Sequence, residues 1–157
     1  MILILLGTQD KSFHRLLEEI SRLLDNGKIK DQVIVQAGYT KYIDKRMKIF
    51  DFINPSDLKK YVLECNYLIT HGGVGSIMDG IQLKKKIIAI PRLKEYHEHD
   101  NDHQLEIIKE FNDLGYIVGL NSVQELEKGL KIIKTFQPKV FKSNTGKIIK
   151  IIEEYID

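Results

Sequence analysis

One short segment of the chain, from His71 to Asp79, combines residue types that bind phosphate and ribose. It reads His-Gly-Gly-Val-Gly-Ser-Ile-Met-Asp and follows an apolar run, Tyr67 to Thr70. Glycine lets a backbone approach a ligand closely, and the first N–H groups of a helix have no partner inside it. Because these donors and the helix dipole favour an anion, such a turn between a strand and a helix is a place for phosphate.

Three polar side chains extend this interpretation. Ser76 can donate its hydroxyl to a phosphate oxygen, and His71 can donate a ring N–H. Asp79 lies one helical turn after Ser76, on the same face, where a carboxylate suits the hydroxyl donors of a ribose. The Gly-x-x-x-x-Gly-Lys-Ser/Thr and Gly-x-Gly-x-x-Gly patterns are absent from the sequence, which excludes the two best-known glycine loops. The alternative is a tight strand–helix turn in which Ser76 is a simple cap.

The elements that must position this segment alternate between strands and helices. Continuous apolar runs predict buried parallel strands at 2–6, 33–37, 49–53, 67–70, 87–90 and 116–120. Helical spacing and capping signals predict helices that begin near residues 13, 55, 77, 105, 122 and 145. The alternation predicts an α/β fold, a doubly wound parallel sheet of about six strands in a single domain, 1–157.

Ligands of such sheets bind at the carboxyl ends of the strands, near a switch point. The turns after the first, fourth and fifth predicted strands should therefore meet at one edge. They begin at Gly7, His71 and Pro91. Thr8 and Gln9, in the first of these turns, either line a site or form an ordinary polar turn.

A polar loop after the fifth strand carries His97, His99, Asp100, Asp102 and His103. Metal binding is one interpretation, but the cysteine partners of structural zinc are missing. A mobile polar lid is the favoured one. We predict no metal and no cofactor.

Composition limits the function classes. The chain has 157 residues, 43% hydrophobic content, 29% charged residues and a net charge of +2, so nothing demands nucleic acid. Lys84 to Lys86 form either a solvated helix end or a contact with an anionic membrane surface. The single Cys65 suits a reducing compartment. The apolar amino terminus is too short to span a membrane and lacks signal-peptide features.

These residues carry a resemblance to a known family. The pattern comprises the glycine-rich segment, a later proline and a His-Gln pair: His71-x-Gly73-x-Gly75-Ser76-x-x-Asp79, Pro91 and His103-Gln104. It resembles the donor-binding C-terminal domain of family-28 and related GT-B glycosyltransferases, which is Rossmann-like. The similarity runs over nearly the whole chain. It extends to free-standing versions: the catalytic subunit of the dolichol-linked N-acetylglucosaminyltransferase, and the PssE-like subunit of exopolysaccharide and capsule synthesis.

The resemblance implies one UDP-sugar site. The residues implied to line it at the diphosphate are Gly7, Thr8, Gln9, His71, Gly72, Gly73, Gly75 and Ser76. Asp79 would hold the ribose, and His103 and Gln104 would touch the sugar. Related enzymes often have Asp, Glu or Gln where this chain has His103. The resemblance therefore does not determine which sugar the chain binds.

The resemblance further implies the donor-binding subunit of a two-component inverting glycosyltransferase. This subunit would transfer a hexose from a UDP-sugar to a lipid-linked saccharide in exopolysaccharide or capsule synthesis. A membrane-associated partner would bind the acceptor and supply the catalytic base. The chain would be cytoplasmic and peripheral to the inner face of the plasma membrane through that partner.

Two other functions stay open at this point. One is a non-catalytic accessory subunit that stabilises a separate glycosyltransferase, and the other is a nucleotide-binding hydrolase. The last predicted helix, 145–156, carries a wide stripe of isoleucines. That stripe either packs on the chain's own sheet or docks onto the partner.

Overall fold

The computed structural model describes residues 1–142 and 146–155, and a parallel sheet of six strands forms its centre. The strands are β1 (Ile2–Leu5), β2 (Val33–Gln36), β3 (Met47–Phe50), β4 (Tyr67–His71), β5 (Ile87–Ile90) and β6 (Val118–Gly119). Their order in the sheet is β3-β2-β1-β4-β5-β6, with every neighbouring pair parallel. The predicted doubly wound α/β fold is confirmed, and the order reverses between β1 and β4.

Helices cover both faces of the sheet. They are α1 (His14–Asp25), α2 (Pro55–Glu64), α3 (Val74–Gln82), α4 (His103–Asp113), α5 (Leu126–Ile133) and α6 (Gly146–Tyr155). Short 3-10 turns occupy Lys94–Tyr96 and Val123–Glu125. In the described part of the chain, we find no helix with the length and apolar character needed to cross a bilayer.

The core has two layers, one on each face of the sheet. Successive residues of a strand point to opposite faces, so Ile2 and Ile4 of β1 pack towards α1 and α5. Leu3 and Leu5 pack towards the other face, which α2, α3, α4 and α6 cover. Both faces are therefore buried, which explains why the strands read as continuous apolar runs.

Two strands differ from their predicted bounds by more than one residue, while β1, β2 and β4 differ by one residue each. β3 begins at Met47, two residues before the predicted start, and ends at Phe50 instead of residue 53. The carbonyl oxygen of Asp51 still accepts the N–H of Gly38, and the N–H of Ile53 then donates to the side-chain oxygen of Gln36 at 2.8 Å. β6 is reduced from five predicted residues to Val118–Gly119 at the sheet edge.

Helix starts also differ from their predicted positions. α3 begins at Val74, three residues before its predicted start, so Ser76 lies within its first turn and the simple-cap alternative is wrong. The predicted capping box at Ser122 does not form, because the Glu125 carboxylate accepts the N–H of Asn121 instead.

In α6, Ile148 and Ile151 are buried and the helix packs against α4. Its predicted ends, residues 145 and 156, lie outside the described residues.

Candidate functional site

The imidazole of His71, at the end of β4, forms the centre of the site. Its side chain is 7% exposed, and the ring packs against the backbones of Gly7 and Gly73. A Cβ atom on Gly7 would lie 2.8 Å from the ring, and one on Gly73 would collide with it. These two glycines are therefore needed to make room for the imidazole, whatever ligand binds nearby.

Both ring nitrogens of His71 have polar contacts. Nδ1 accepts the N–H of Gly73 at 3.2 Å and lies 3.1 Å from the side-chain nitrogen of Gln104. Nε2 lies 3.3 Å from the hydroxyl oxygen of Ser76. Burial, together with the nearby positive charge of Arg92, lowers the pKa of His71 to about 3, so the ring is neutral at physiological pH.

Gln104, in the first turn of α4, joins the turns after β4 and β5. Its side-chain oxygen accepts the N–H of Gly72 at 2.8 Å and that of Arg92 at 3.0 Å. The residue is 3% exposed. The expected sugar contact of Gln104 stays a prediction, since these internal bonds already occupy its oxygen and one N–H.

The amino terminus of α3 presents backbone donors at this edge. Gly73 is the N-cap residue, and the N–H groups of Gly72 and Gly73 are used internally by Gln104 and His71. The next three N–H groups, from Val74 to Ser76, are first-turn donors that a helix does not satisfy itself. A Cβ atom on Gly75 would meet nothing within 4 Å, so a ligand can approach the backbone there.

A cavity of about 620 Å³ opens beside this turn. It brings together most of the predicted site residues, and its lining includes Gln9, His71, Gly72, Gly73, Gly75, His103 and Gln104. Glu154 and Tyr155 of α6 form part of its wall. The Tyr155 hydroxyl donates to Glu106 at 2.8 Å, and its ring lies edge-on to His103.

A second cavity of about 580 Å³ lies on the other side of α3. Thr8 and Asp79 line it together with the apolar residues Phe52 and Ile53. Gln82 lines both cavities, so the two adjoin at that residue. Asp79 is solvent-accessible, but partial desolvation of its carboxyl raises the pKa of that group. Asp79 therefore lies apart from the His71 turn rather than inside the same cavity.

The loop after β5 is fastened to the loop after β1 by a buried arginine. Arg92 is 1% exposed, and its guanidinium donates to the carbonyl oxygens of Leu6 at 3.0 Å, Lys11 at 2.7 Å and Glu98 at 3.1 Å. Burial lowers the pKa of Arg92 to about 10, so it stays charged at neutral pH. One side chain thus satisfies three carbonyls from two loops.

A second set of contacts strengthens this fastening. The buried Glu98 carboxylate accepts two hydrogen bonds from Arg15, at 2.7 and 2.9 Å, and the Arg15 guanidinium stacks on Tyr96 at 3.7 Å. The amide nitrogen of Gln9 lies 2.8 Å from Nε2 of His99. These contacts hold the loop after β5 against α1 and the loop after β1, and the mobile-lid interpretation stays a prediction.

The histidines and carboxylates of this loop do not converge. Within residues 1–142 and 146–155, no group of three His, Cys, Asp or Glu side chains is arranged to hold a metal ion. His97 is exposed with a left-handed backbone, whereas His99 and His103 face the cavity beside the His71 turn. The metal interpretation of the loop therefore finds no support in the geometry.

A third cavity, of about 680 Å³, lies at the opposite, amino-terminal edge of the sheet. Its lining is basic and includes Lys28, Lys30, Lys86, Lys131 and Lys134. None of the predicted site residues contributes to it. It also lies away from the amino terminus of α3, so it lacks the backbone donors that distinguish the His71 edge.

Among the residues that line the two cavities at the His71 edge, several have no predicted site role, including Phe52, Ile53, Gln82 and Tyr155. Phe52 and Ile53 were assigned to a strand, while Gln82 and Tyr155 were assigned to helices without a role. A signal for Phe52 and Ile53 was available, because Asn54-Pro55 marks a helix start at the carboxyl end of a strand. The roles of Gln82 and Tyr155 depend on how their helices pack, which spacing does not reveal.

Comparison with known families gives the chain its place. The model of the glycosyltransferase family 28 C-terminal domain matches residues 1–154. The chain belongs to this family. The expectation drawn from the glycine-rich segment, Pro91 and the His103-Gln104 pair is thereby confirmed.

Curated relatives of this family member are fungal. UDP-N-acetylglucosamine transferase subunit ALG13 of Candida albicans is 33% identical over 91 residues, which is 58% of this chain and 29% of that protein. The subunit of the same name from Candida glabrata is 35% identical over 108 residues, which is 68% of this chain and 46% of that protein. The chain thus spans less than half the length of these relatives.

Solved structures with the same fold are glycosyltransferases. SnogD from Streptomyces nogalater superposes with a TM-score of 0.55 at 12% identity, over 98% of this chain and 37% of that one. The kitacinnamycin glycotransferase gives 0.57 at 11% identity, with the same coverage. The likeness shows that the family 28 chain has the fold of a GT-B C-terminal, Rossmann-like domain.

Proposed function

We propose that this chain binds the UDP-sugar donor of a two-component inverting glycosyltransferase. The observation that carries the proposal is the open first turn of α3, which lies between two adjoining cavities. Backbone donors from Val74 to Ser76 would bind the diphosphate, and the Ser76 hydroxyl would add one more hydrogen bond. No metal is required, because these donors can stabilise the charge of the leaving diphosphate.

The two cavities suit the two ends of a nucleotide sugar. Phe52 and Ile53 supply apolar walls for a base, and the Asp79 carboxylate can accept the ribose hydroxyls in the same cavity. On the other side of α3, His103 and Asn101 offer polar groups to the sugar. His71 lines the same cavity with 7% of its side chain exposed, and its Nε2 faces the Ser76 hydroxyl.

The names of the relatives are the basis for a second subunit. The ALG13 relatives are subunits of a UDP-N-acetylglucosamine transferase by name. We infer that a membrane-associated partner binds a lipid-linked acceptor and supplies the base that deprotonates its hydroxyl. The chain would then work in the cytoplasm, at the inner face of the membrane.

The sugar and the pathway are separate parts of the proposal. The relatives' name makes UDP-N-acetylglucosamine the first donor to test within the expected UDP-hexoses. Assembly of a lipid-linked saccharide for exopolysaccharide or capsule is the role we propose. An accessory subunit is the alternative, but such a chain need not keep an open α3 terminus and a ribose-side carboxylate.

Calorimetric titration of the purified chain tests the donor site. Wild-type protein should bind UDP, and Asp79→Ala should weaken binding about tenfold, because hydrogen bonds to a carboxylate are lost. Asp113→Asn is the matched control, since that carboxylate pairs with Lys109 at the far end of α4. Its affinity for UDP should be unchanged.

Two results would contradict parts of the proposal. Equal UDP affinity for wild type and Asp79→Ala would show that the ribose site is wrong. If the chain does not bind at millimolar UDP, the titration is repeated with the partner subunit present. Binding that appears only then retains the donor site, while continued absence of binding favours the accessory role.

A further inference from the structure

We propose that Gln104 is a positioning residue that fixes the tautomer of His71, so that the Ser76 hydroxyl presents its hydrogen to a bound phosphate. This inference rests on the proposed function, because the anion is the UDP diphosphate. It assigns Gln104 a role through His71 and Ser76, in addition to the sugar contact that the resemblance implies.

The orientation of the Gln104 amide is determined by its neighbours. One of its two terminal atoms faces the backbone N–H groups of Gly72 and Arg92, at 2.8 and 3.0 Å. Two donors require an acceptor, so this atom is the oxygen. The other atom is therefore the nitrogen, and it donates to Nδ1 of His71 at 3.1 Å.

The tautomer of His71 follows from the donors that surround Nδ1. This nitrogen receives hydrogens from Gln104 and from the N–H of Gly73, so it must be the unprotonated one. The single proton of the neutral ring is then on Nε2. Nε2 lies 3.3 Å from the hydroxyl oxygen of Ser76, and this oxygen accepts a hydrogen bond from the Nε2–H group.

Ser76 consequently faces the ligand as a donor. A hydroxyl has one hydrogen and two acceptor sites, and His71 occupies an acceptor site. The hydroxyl hydrogen is left for a phosphate oxygen. In the opposite tautomer, Nε2 would accept that hydrogen, and Ser76 would turn a lone pair towards the anion. Gln104 thus affects phosphate binding without reaching the phosphate.

The ring nitrogens of His71 can be observed directly in the wild-type protein. We would record the ¹⁵N spectrum of the histidine rings and assign His71 with the His71→Asn variant. The expected result is a protonated Nε2 and an unprotonated Nδ1. A proton on Nδ1 would overturn the proposal, and this measurement needs neither UDP nor a partner subunit.

A double-mutant cycle separates this role from a general structural one. Gln104→Met keeps the length of the side chain but removes its donor, together with the oxygen that accepts from Gly72 and Arg92. When Ser76 is present, Gln104→Met should lower the affinity for UDP about tenfold, since the hydrogen bond from the Ser76 hydroxyl to a charged phosphate oxygen is lost. In the Ser76→Ala background, the same change should alter affinity less than about twofold. Titrations are made below the thermal transition of each variant.

Each outcome of the cycle decides the question. An equal loss in both backgrounds would mean that Gln104 supports the turn without acting through Ser76, and it would overturn the proposal. An unchanged affinity in the Ser76 background would overturn it too. If UDP binds neither to the wild-type chain alone nor to the chain with its partner subunit, the proposed function fails, whereas the ¹⁵N spectrum still decides the tautomer.

Discussion

At the scale of single residues, the buried imidazole of His71 determines the shape of the edge at which we place the diphosphate. The ring fills the space between Gly7 and Gly73 and leaves Gly75 open to solvent. The glycines of one motif therefore have different tasks. Gly73 accommodates a side chain, while Gly75 gives a ligand access to the helix terminus.

This division predicts opposite results for two neighbouring alanine substitutions. Gly73→Ala should lower the free energy of unfolding by about 1–3 kcal/mol, because the new Cβ collides with the His71 ring. Gly75→Ala should fold with no such loss, since its Cβ points into open space. Urea unfolding of both variants would measure the difference, and equal stability would contradict it.

The depressed pKa of His71 predicts a pH dependence of stability. The native ring titrates near pH 3 and the unfolded ring near its ordinary value of 6.5. Between these values the unfolded chain binds a proton that the native protein does not, so stability falls as the pH decreases. The slope should approach about 1.4 kcal/mol per pH unit from this residue.

The His71→Asn variant should show a flatter dependence between pH 6 and 4, measured by denaturant unfolding at several pH values. His97→Gln is the control, because His97 is exposed on the loop after β5. The same slope in His71→Asn as in wild type would show that the native ring accepts a proton more readily than its burial implies.

At the scale of elements, the loops after β1 and β5 act as one support for the site. Arg92 binds three carbonyls across the two loops, and Glu98 holds Arg15 of α1. Gln9 and His99, which both line the cavity beside the His71 turn, are carried by these loops. The position of that cavity's wall therefore depends on buried charge pairs.

Glu98→Gln should lower the free energy of unfolding by about 2–3 kcal/mol, because hydrogen bonds from Arg15 to a buried carboxylate lose their charge. Asp100 follows Glu98 by two positions and forms an exposed ion pair with Lys11, so Asp100→Asn should change the free energy of unfolding little. Thermal unfolding of the two variants provides the comparison. A similar loss in both would mean that the buried pair has no special role.

The sequence predicted the existence and order of the strands and helices well, because apolar runs and helical spacing are local signals. The ends that decide the site were less accurate. α3 starts at Val74 because Gly73 can cap it beside the His71 ring, and after β3 the N–H of Ile53 binds the side chain of Gln36. Both features involve residues from other elements, which a local pattern does not contain.

The same limit applies to side-chain roles. Ser76 and Asp79 lie three residues apart in α3, as expected, but the spacing does not reveal that Asp79 lines a separate cavity beyond the His71 turn. The sugar contact that the resemblance implies for Gln104 stays a prediction, and no sequence pattern indicates that its oxygen accepts the N–H groups of Gly72 and Arg92. Its 32-residue separation from Gly72 places this contact beyond any motif.

At the scale of the whole molecule, the parallel sheet brings all of its carboxyl ends to one edge. That edge holds the α3 terminus and the two adjoining cavities, while the amino edge holds a lysine-lined cavity. The chain covers only part of the glycosyltransferase structures that share its fold. In our proposal, which follows the subunit names of the ALG13 relatives, another subunit supplies the acceptor half of the cleft.

This division of labour predicts that the purified chain binds a UDP-sugar without consuming it. UDP release, followed by chromatography, should appear only when the partner subunit and a lipid-linked acceptor are added. The chain without the partner is the control. Release of UDP from the chain alone would instead support a hydrolase.

The most direct test of the donor site is a titration of the ¹⁵N-labelled chain with UDP, followed through its backbone amide signals. The proposal predicts the largest shifts at Val74 to Ser76 and at Phe52 and Ile53. Shifts concentrated at Lys28, Lys86 and Lys131 of the amino edge would contradict it, because the nucleotide would then occupy the opposite end of the sheet.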